Sequence, residues 1–362
     1  MYKNLARAAA LAAALLSPFH TPAQTTTAAL KVGFVYVSPV GEAGWSYQHD
    51  LGRREMERAL GARVQTTVVE AVPEGADSER VMRDLARQGH QLIFATSFGY
   101  LEPALRVAAE FPQVKFEHAG GYKTAANLNT YNARYYEARY LAGWLAGKTS
   151  RTGIAGYVAG FPVPEVVQGI NAFAIGLREA NPKAQLRVLW LNSWFDPARE
   201  REAAQTLIHQ GADVLTNHSG SPAVPQAAQA AFKDKGVRVI AYQSDMKAYA
   251  PDAQLAAVTH HWGGYYTKVA RDVLEGRWQA KPVWAGMKDG LVRLSALDAS
   301  IPKDVRAQLE ARRRAIAAGT LQPFSGRLLD NVGHVRQAGG TMDDASIAAM
   351  NWLAEGVVGM LP

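Results

Sequence analysis

The sequence predicts an α/β protein of two Rossmann-like lobes, each a parallel sheet covered by helices, with a hinged cleft between them. Three observations carry this. Short apolar runs alternate with helical patterns from Lys31 to about Trp262. The alternation restarts at Thr152 after one full series. The chain of 362 residues is long enough for two domains.

In chain order, KVGFVYV (Lys31–Val37) reads as a strand leading to a helix from about Ser46. VQTTVVE (Val64–Glu70) leads to SERVMRDLARQG, whose Val81, Leu85 and Gln88 fall at helical spacing. QLIFATS (Gln91–Ser97) leads to EPALRVAAEF. VKFEHAG (Val114–Gly120) opens a loop before a long helix through ARYYEARYLAGWLAGKTS. The second series pairs TGIAGYVAG (Thr152–Gly160) with VPEVVQGINAFAIGLREANP, then QLRVLWLNSW (Gln185–Trp194) with DPAREREAAQTLIHQG. ADVLTNHSG (Ala212–Gly220) precedes AVPQAAQAAFKDKG, and RVIAYQSD (Arg238–Asp245) and LAAVTHHW (Leu255–Trp262) follow. The helix GGYYTKVARDVLEG and the strand MKDGLVRLSAL are expected to cross back to the first lobe. Expected limits are 30–148 with about 278–330 for lobe one and 149–277 for lobe two. Residues 331–362 form a C-terminal segment, with a final helix docked through Met350, Trp352 and Leu353.

Lys3 and Arg7 precede a short apolar core and a small Ala23, the pattern of a signal peptide over residues 1–23. The formal charge of +7 includes those two cations, so the remaining chain carries +5. That mild excess makes no case for nucleic acid. Arg312–Arg314 lies in a helical pattern and reads as a solvated face. Cysteine is absent, which excludes disulfides, thiolate metal sites and a lipidated N-terminal cysteine. The chain therefore reads as periplasmic, not lipid-anchored.

Ligands of open parallel sheets bind beyond the carboxyl ends of the strands. The residues there are rich in rings: Trp45, Tyr47 and Gln48 after the first strand, Ser97 and Phe98 after the third, His118 after the fourth. The second lobe offers Phe161, Glu165, Trp194, Asp196, Asn217, His218 and Asp245, and Lys288 comes from the return strand. Asp196-Pro197 has the form of a helix N-cap. This set suits a flat, polar-edged ligand held between rings. Enzyme signatures are weak. His260 and His261 are adjacent on a strand, so they point to opposite faces and chelate one ion poorly. Ser219 neighbours its would-be base, His218, with no orienting carboxylate evident. No cofactor or metal is expected.

The segments GWSYQHDLGR, ATSFGYLEP, VPEVVQGINAFAIGLREANP, NSWFDPAREREAA, QGADV and MKDG, in that order, resemble the basic membrane protein family of ABC-transporter substrate-binding proteins. Its best-known members bind purine nucleosides. The resemblance implies a type I periplasmic-binding-protein fold. It implies that Tyr47 and Trp194 take the places of two phenylalanines that stack on the purine. Gln48 stands for an asparagine, and Asp245 and Lys288 match polar contacts to sugar or base. His118 lies beside the place of an aspartate. Where the family has small or acidic groups, this chain has His, Gln and Trp. That bulk favours a purine nucleobase, adenine first, over a nucleoside. The implied mechanism is hinge closure and delivery to an ABC permease by a monomer. A ligand sensor and a purine nucleoside-processing enzyme are the competing readings.

Overall fold

The computed structural model describes residues 28–362; the expected signal peptide lies outside them. The chain opens with β1 (Leu30–Val35), α1 (Trp45–Leu60), β2 (Val64–Val69), α2 (Ala76–Arg87), β3 (Leu92–Ala95), α3 (Leu101–Glu110), β4 (Lys115–Ala119) and β5 (Leu128–Ala133). It continues through α4 (Tyr135–Thr149), β6 (Ile154–Ala159), α5 (Pro164–Ala180), β7 (Gln185–Trp190), α6 (Pro197–His209), β8 (Val214–His218), α7 (Ala223–Lys235), β9 (Arg238–Gln243) and β10 (Gln254–His260). The last part holds α8 (Gly263–Leu274), β11 (Val283–Ala285), β12 (Val292–Ser295), α9 (Lys303–Ala317), β13 (Leu328–Leu329), β14 (Val335–Gln337), α10 (Asp344–Ala348) and β15 (Val357–Val358).

Two large sheets result, ordered β11-β5-β4-β3-β1-β2 and β12-β10-β9-β8-β6-β7-β15. All pairings in the first are parallel, and in the second only β10 with β12 is antiparallel. Parallel strands need both faces covered, and β3 and β10 are accordingly buried along their whole lengths. The chain passes between the sheets three times: after β5, after β10 and after β11. That places a hinge beside the facing carboxyl ends of the strands.

The structure corrects the sequence reading at several points. LNTYNA, read as part of a loop, forms β5. Its Asn129, Thr130 and Asn132 hid it among polar residues. The return segment MKDGLVRLSAL does not cross to the first lobe: β12 pairs antiparallel with β10 of the second sheet, Val258 opposite Leu294. Only β11, just before it, joins the first sheet, through β5. α4 packs along α5 of the second lobe, although it precedes the expected boundary. α8 does return to the first lobe: Trp262 and Tyr266 lie against Gly52 of α1. The expected final helix shrinks to α10, and Met350, Trp352 and Leu353 follow it as a buried coil. Asn171 fastens that coil, donating to Trp352 O (2.7 Å) and accepting from Ala354 N (2.8 Å).

Candidate functional site

One cavity lies between the two sets of strand ends. The first lobe lines it with Val37, Ser38, Trp45, Ser97, Phe98 and Ala119. The second contributes Glu165, Trp194, His218, Gly220 and Gln243. The atom-free space is about 480 Å³, part of it open to solvent.

Local backbone fixes the rings. Trp45 is the first residue of α1, and its indole N–H donates to Thr96 O at 2.6 Å. Its ring meets His49 and His260 edge-on, at centroid distances of 4.4 and 5.8 Å. Phe98 opens a 3₁₀ turn that runs into α3. Trp194 sits in the loop before α6, whose start is set by Asp196 capping Arg199 N at 3.1 Å and by Pro197. Gly220 N donates to Trp194 O at 2.8 Å, and Phe161 packs edge-on against the indole at 4.9 Å.

Polar groups converge between the rings. Glu165 stands in the first turn of α5, and its carboxylate lies 3.7 Å from His218 Nε2. Burial lowers the pKa of His218, the neighbouring Glu165 carboxylate opposes that shift, and the charge of Arg139 adds to it. A neutral imidazole at pH 7 follows. Gln243 ends β9 with φ of 72°, a left-handed backbone that is rare outside glycine. Its side chain is buried and its amide oxygen has no partner among the described residues. Backbone strain of this kind, about 1–3 kcal/mol, collects at functional sites.

Of the strand-end residues named from the sequence, Trp45, Ser97, Phe98, Glu165, Trp194 and His218 line this cavity. The Ser97 hydroxyl is already engaged, donating to Glu74 Oε1 at 2.6 Å. Tyr47, Gln48, His118, Asp245 and Lys288 do not line it. Tyr47 is two residues past Trp45 on α1, about 200° round the helix at 3.6 residues per turn, so the two rings face apart. Gln48 donates its amide N–H to His260 O, tying α1 to the end of β10. His118 is fully buried, on the side of β4 facing Gly121. Asp245 is exposed and caps its own loop, accepting from Lys247 N (3.0 Å) and Gln254 Nε2 (2.7 Å). Lys288 is exposed and borders a separate cleft near Arg134 and Asp344. Trp45 and Trp194 both line the cavity, whereas Tyr47, the ring expected to face Trp194, does not.

Glu165 and His218 lie in the cavity, at the strand ends where the sequence reading places them. Gln243 was missed altogether: a positive φ leaves no mark on residue type. Among the described residues no cluster of His, Asp and Glu could hold a metal ion.

Buried histidines make stability depend on pH. Burial holds His49 and His118 at a pKa of about 3, against an ordinary 6.5. Between those values the unfolded chain binds protons that the native state refuses, so stability rises with pH across the window. Glu117 works the other way. Burial pushes its carboxyl from 4.5 up to about 7, against hydrogen bonds from Tyr265, Trp278 and Asn129. Its contribution is present below about 4.5 and lost as pH rises to 7. Two histidines outweigh one carboxyl, so the urea midpoint should be lower at pH 4 than at pH 7. An equal or higher midpoint at pH 4 would show that the rings titrate freely.

Comparison with known proteins gives consistent neighbours. A family model described as ABC transporter substrate-binding protein, PnrA-like, matches residues 29–320. A purine-binding protein of Brucella abortus is 48% identical over 334 residues, covering 92% of this chain and 94% of that protein. A Haloferax volcanii protein that carries the name of an ABC transporter glucose-binding protein is 36% identical, covering 92% of this chain and 81% of its own length. Among solved structures, an ABC transporter solute-binding protein from Aeropyrum pernix superposes with a TM-score of 0.70 at 20% identity, over 81% of this chain and 92% of that one. At that identity the likeness speaks to the fold.

Proposed function

Because the chain belongs to the PnrA-like family of ABC transporter substrate-binding proteins, we propose that its cavity captures a purine nucleobase, adenine first, in the periplasm and presents it to a membrane permease. The lobes that close are taken as 30–133 with 263–285, and 135–260 with 292–358. Capture is non-covalent and needs no cofactor.

The observation that carries this reading is Gln243, a strained, buried amide with a free oxygen, set in a cavity walled by Trp45, Phe98 and Trp194. A carboxamide offers one acceptor beside one donor. That pair matches an aminopurine edge, where an exocyclic N–H lies beside a ring nitrogen. The Glu165 carboxylate can only accept, so it favours a ligand N–H. Rings supply the bulk of the affinity. Base–aromatic stacking is worth ~1–3 kcal/mol per base, and a micromolar ligand needs only about −8 kcal/mol. The purine-binding relative at 48% identity supports the same class.

The test is isothermal titration against adenine, hypoxanthine, guanine, xanthine, adenosine and glucose. Adenine should bind most tightly. Gln243→Ala should weaken it about 5- to 150-fold, because a buried edge left unpaired costs ~1–3 kcal/mol. Tight adenosine binding without adenine binding rules out the nucleobase assignment, and glucose binding alone moves the site to sugars. Uptake by a deletion strain separates transport from sensing.

A further inference from the structure

The geometry points to Glu74 as a closure latch that positions the Trp194 ring. This rests on the cavity being the ligand site. Glu74 belongs to the first lobe, in the loop between β2 and α2, and is not part of the cavity lining. Its Oε1 accepts three hydrogen bonds. Two come from its own lobe, Ser97 Oγ at 2.6 Å and Gly99 N at 2.8 Å. The third crosses the mouth of the cleft, from the Trp194 indole N–H at 3.1 Å.

The first two bonds seat the carboxylate before the lobes meet. Its position is tight: a β-carbon on Gly99 would lie 2.3 Å from the Glu74 carboxyl carbon. The third bond forms only when the second lobe arrives. A contact made in the closed form alone shifts the open–closed balance by its whole differential energy. It also selects the rotation of the indole, turning one face of Trp194 toward the cavity. Ser97 thus serves the site indirectly, by holding Glu74.

A latch of this kind acts on release. Trapping a ligand requires the closed form to persist, whereas encounter occurs with the open one. Glu74→Ala should therefore speed adenine release about tenfold and leave association within twofold, as a charge-assisted bond at an exposed rim implies. Glu74→Gln keeps an oxygen acceptor and should give an intermediate rate. Gly99→Ala should mimic Glu74→Ala with the glutamate still present, because the new methyl evicts the carboxylate from its seat. In a Trp194→Phe background, which has a ring but no N–H, Glu74→Ala should add no further acceleration.

Stopped-flow tryptophan fluorescence with adenine measures these rates, and small-angle scattering of each variant with and without adenine reports lobe opening. A Glu74→Ala protein that releases adenine at the wild-type rate overturns the latch. So does an acceleration that persists in full in the Trp194→Phe background. If wild-type protein binds no adenine, the ligand reading fails separately. Scattering then decides the latch alone: a more open Glu74→Ala profile supports it, and a profile identical to wild type ends it.

Discussion

Trp45→Ala should weaken ligand binding by about 100-fold, while Tyr47→Ala should change it less than twofold. The difference follows from helix geometry. Trp45 lines the cavity and is clamped by Thr96, whereas Tyr47 lies elsewhere on the same helix and does not line it. Losing one stacking wall costs ~1–3 kcal/mol, and the upper end applies where the ring also excludes water. Trp45 further packs on His49, His260 and Trp262, so its removal loosens the floor of the site as well as one wall. Titration of both variants with adenine checks this. The reverse ranking would restore Tyr47 as the gripping ring and mean that α1 sits about half a turn from its place here.

Gly44→Ala should block closure. Gly44 has φ of 93° and ψ of −163°, a backbone that other residues scarcely adopt. It also touches the opposite lobe. A β-carbon there would lie 2.0 Å from the carbonyl oxygen of Gly220, far inside contact distance. The neighbouring link, Gly44 N donating to Ser244 Oγ at 2.8 Å, would break with it. Because Gly220 is backbone and pinned to Trp194, it cannot step aside as a flexible side chain could. The expected result is a folded protein that scatters as an open form with ligand present and binds at least 100-fold more weakly. Retention of wild-type affinity would mean that the two loops do not meet in the bound state.

The architecture was legible because strand runs such as KVGFVYV and QLIFATS are largely apolar, short and evenly interleaved with helical patterns. β5 escaped because its polar side chains break that signal. β12 was assigned to the wrong sheet because a four-residue strand carries no mark of its partner. Within the site, the family resemblance found the right loop at α1 and the right loop before α6. It pointed to Tyr47, whereas Trp45, two residues earlier, is the ring that lines the cavity, since a motif match does not determine which helix face looks inward. Asp245 lost to Gln243 for a similar reason: the strand ended two residues earlier, with the backbone turning left-handed at its last position. Glu74 had no signature at all. Its importance comes from a contact with Trp194, 120 positions away, which exists only once both lobes are folded and shut.

The first strand, β1, belongs to one sheet, and the last, β15, pairs with β7 at the far edge of the other. The two ends of the described chain therefore sit on different sheets. A donor dye near Leu30 and an acceptor near Val358 would change separation whenever the molecule shuts on its guest. On the proposed closure, such a pair should report free ligand concentration by energy transfer without any change to the residues proposed to hold it.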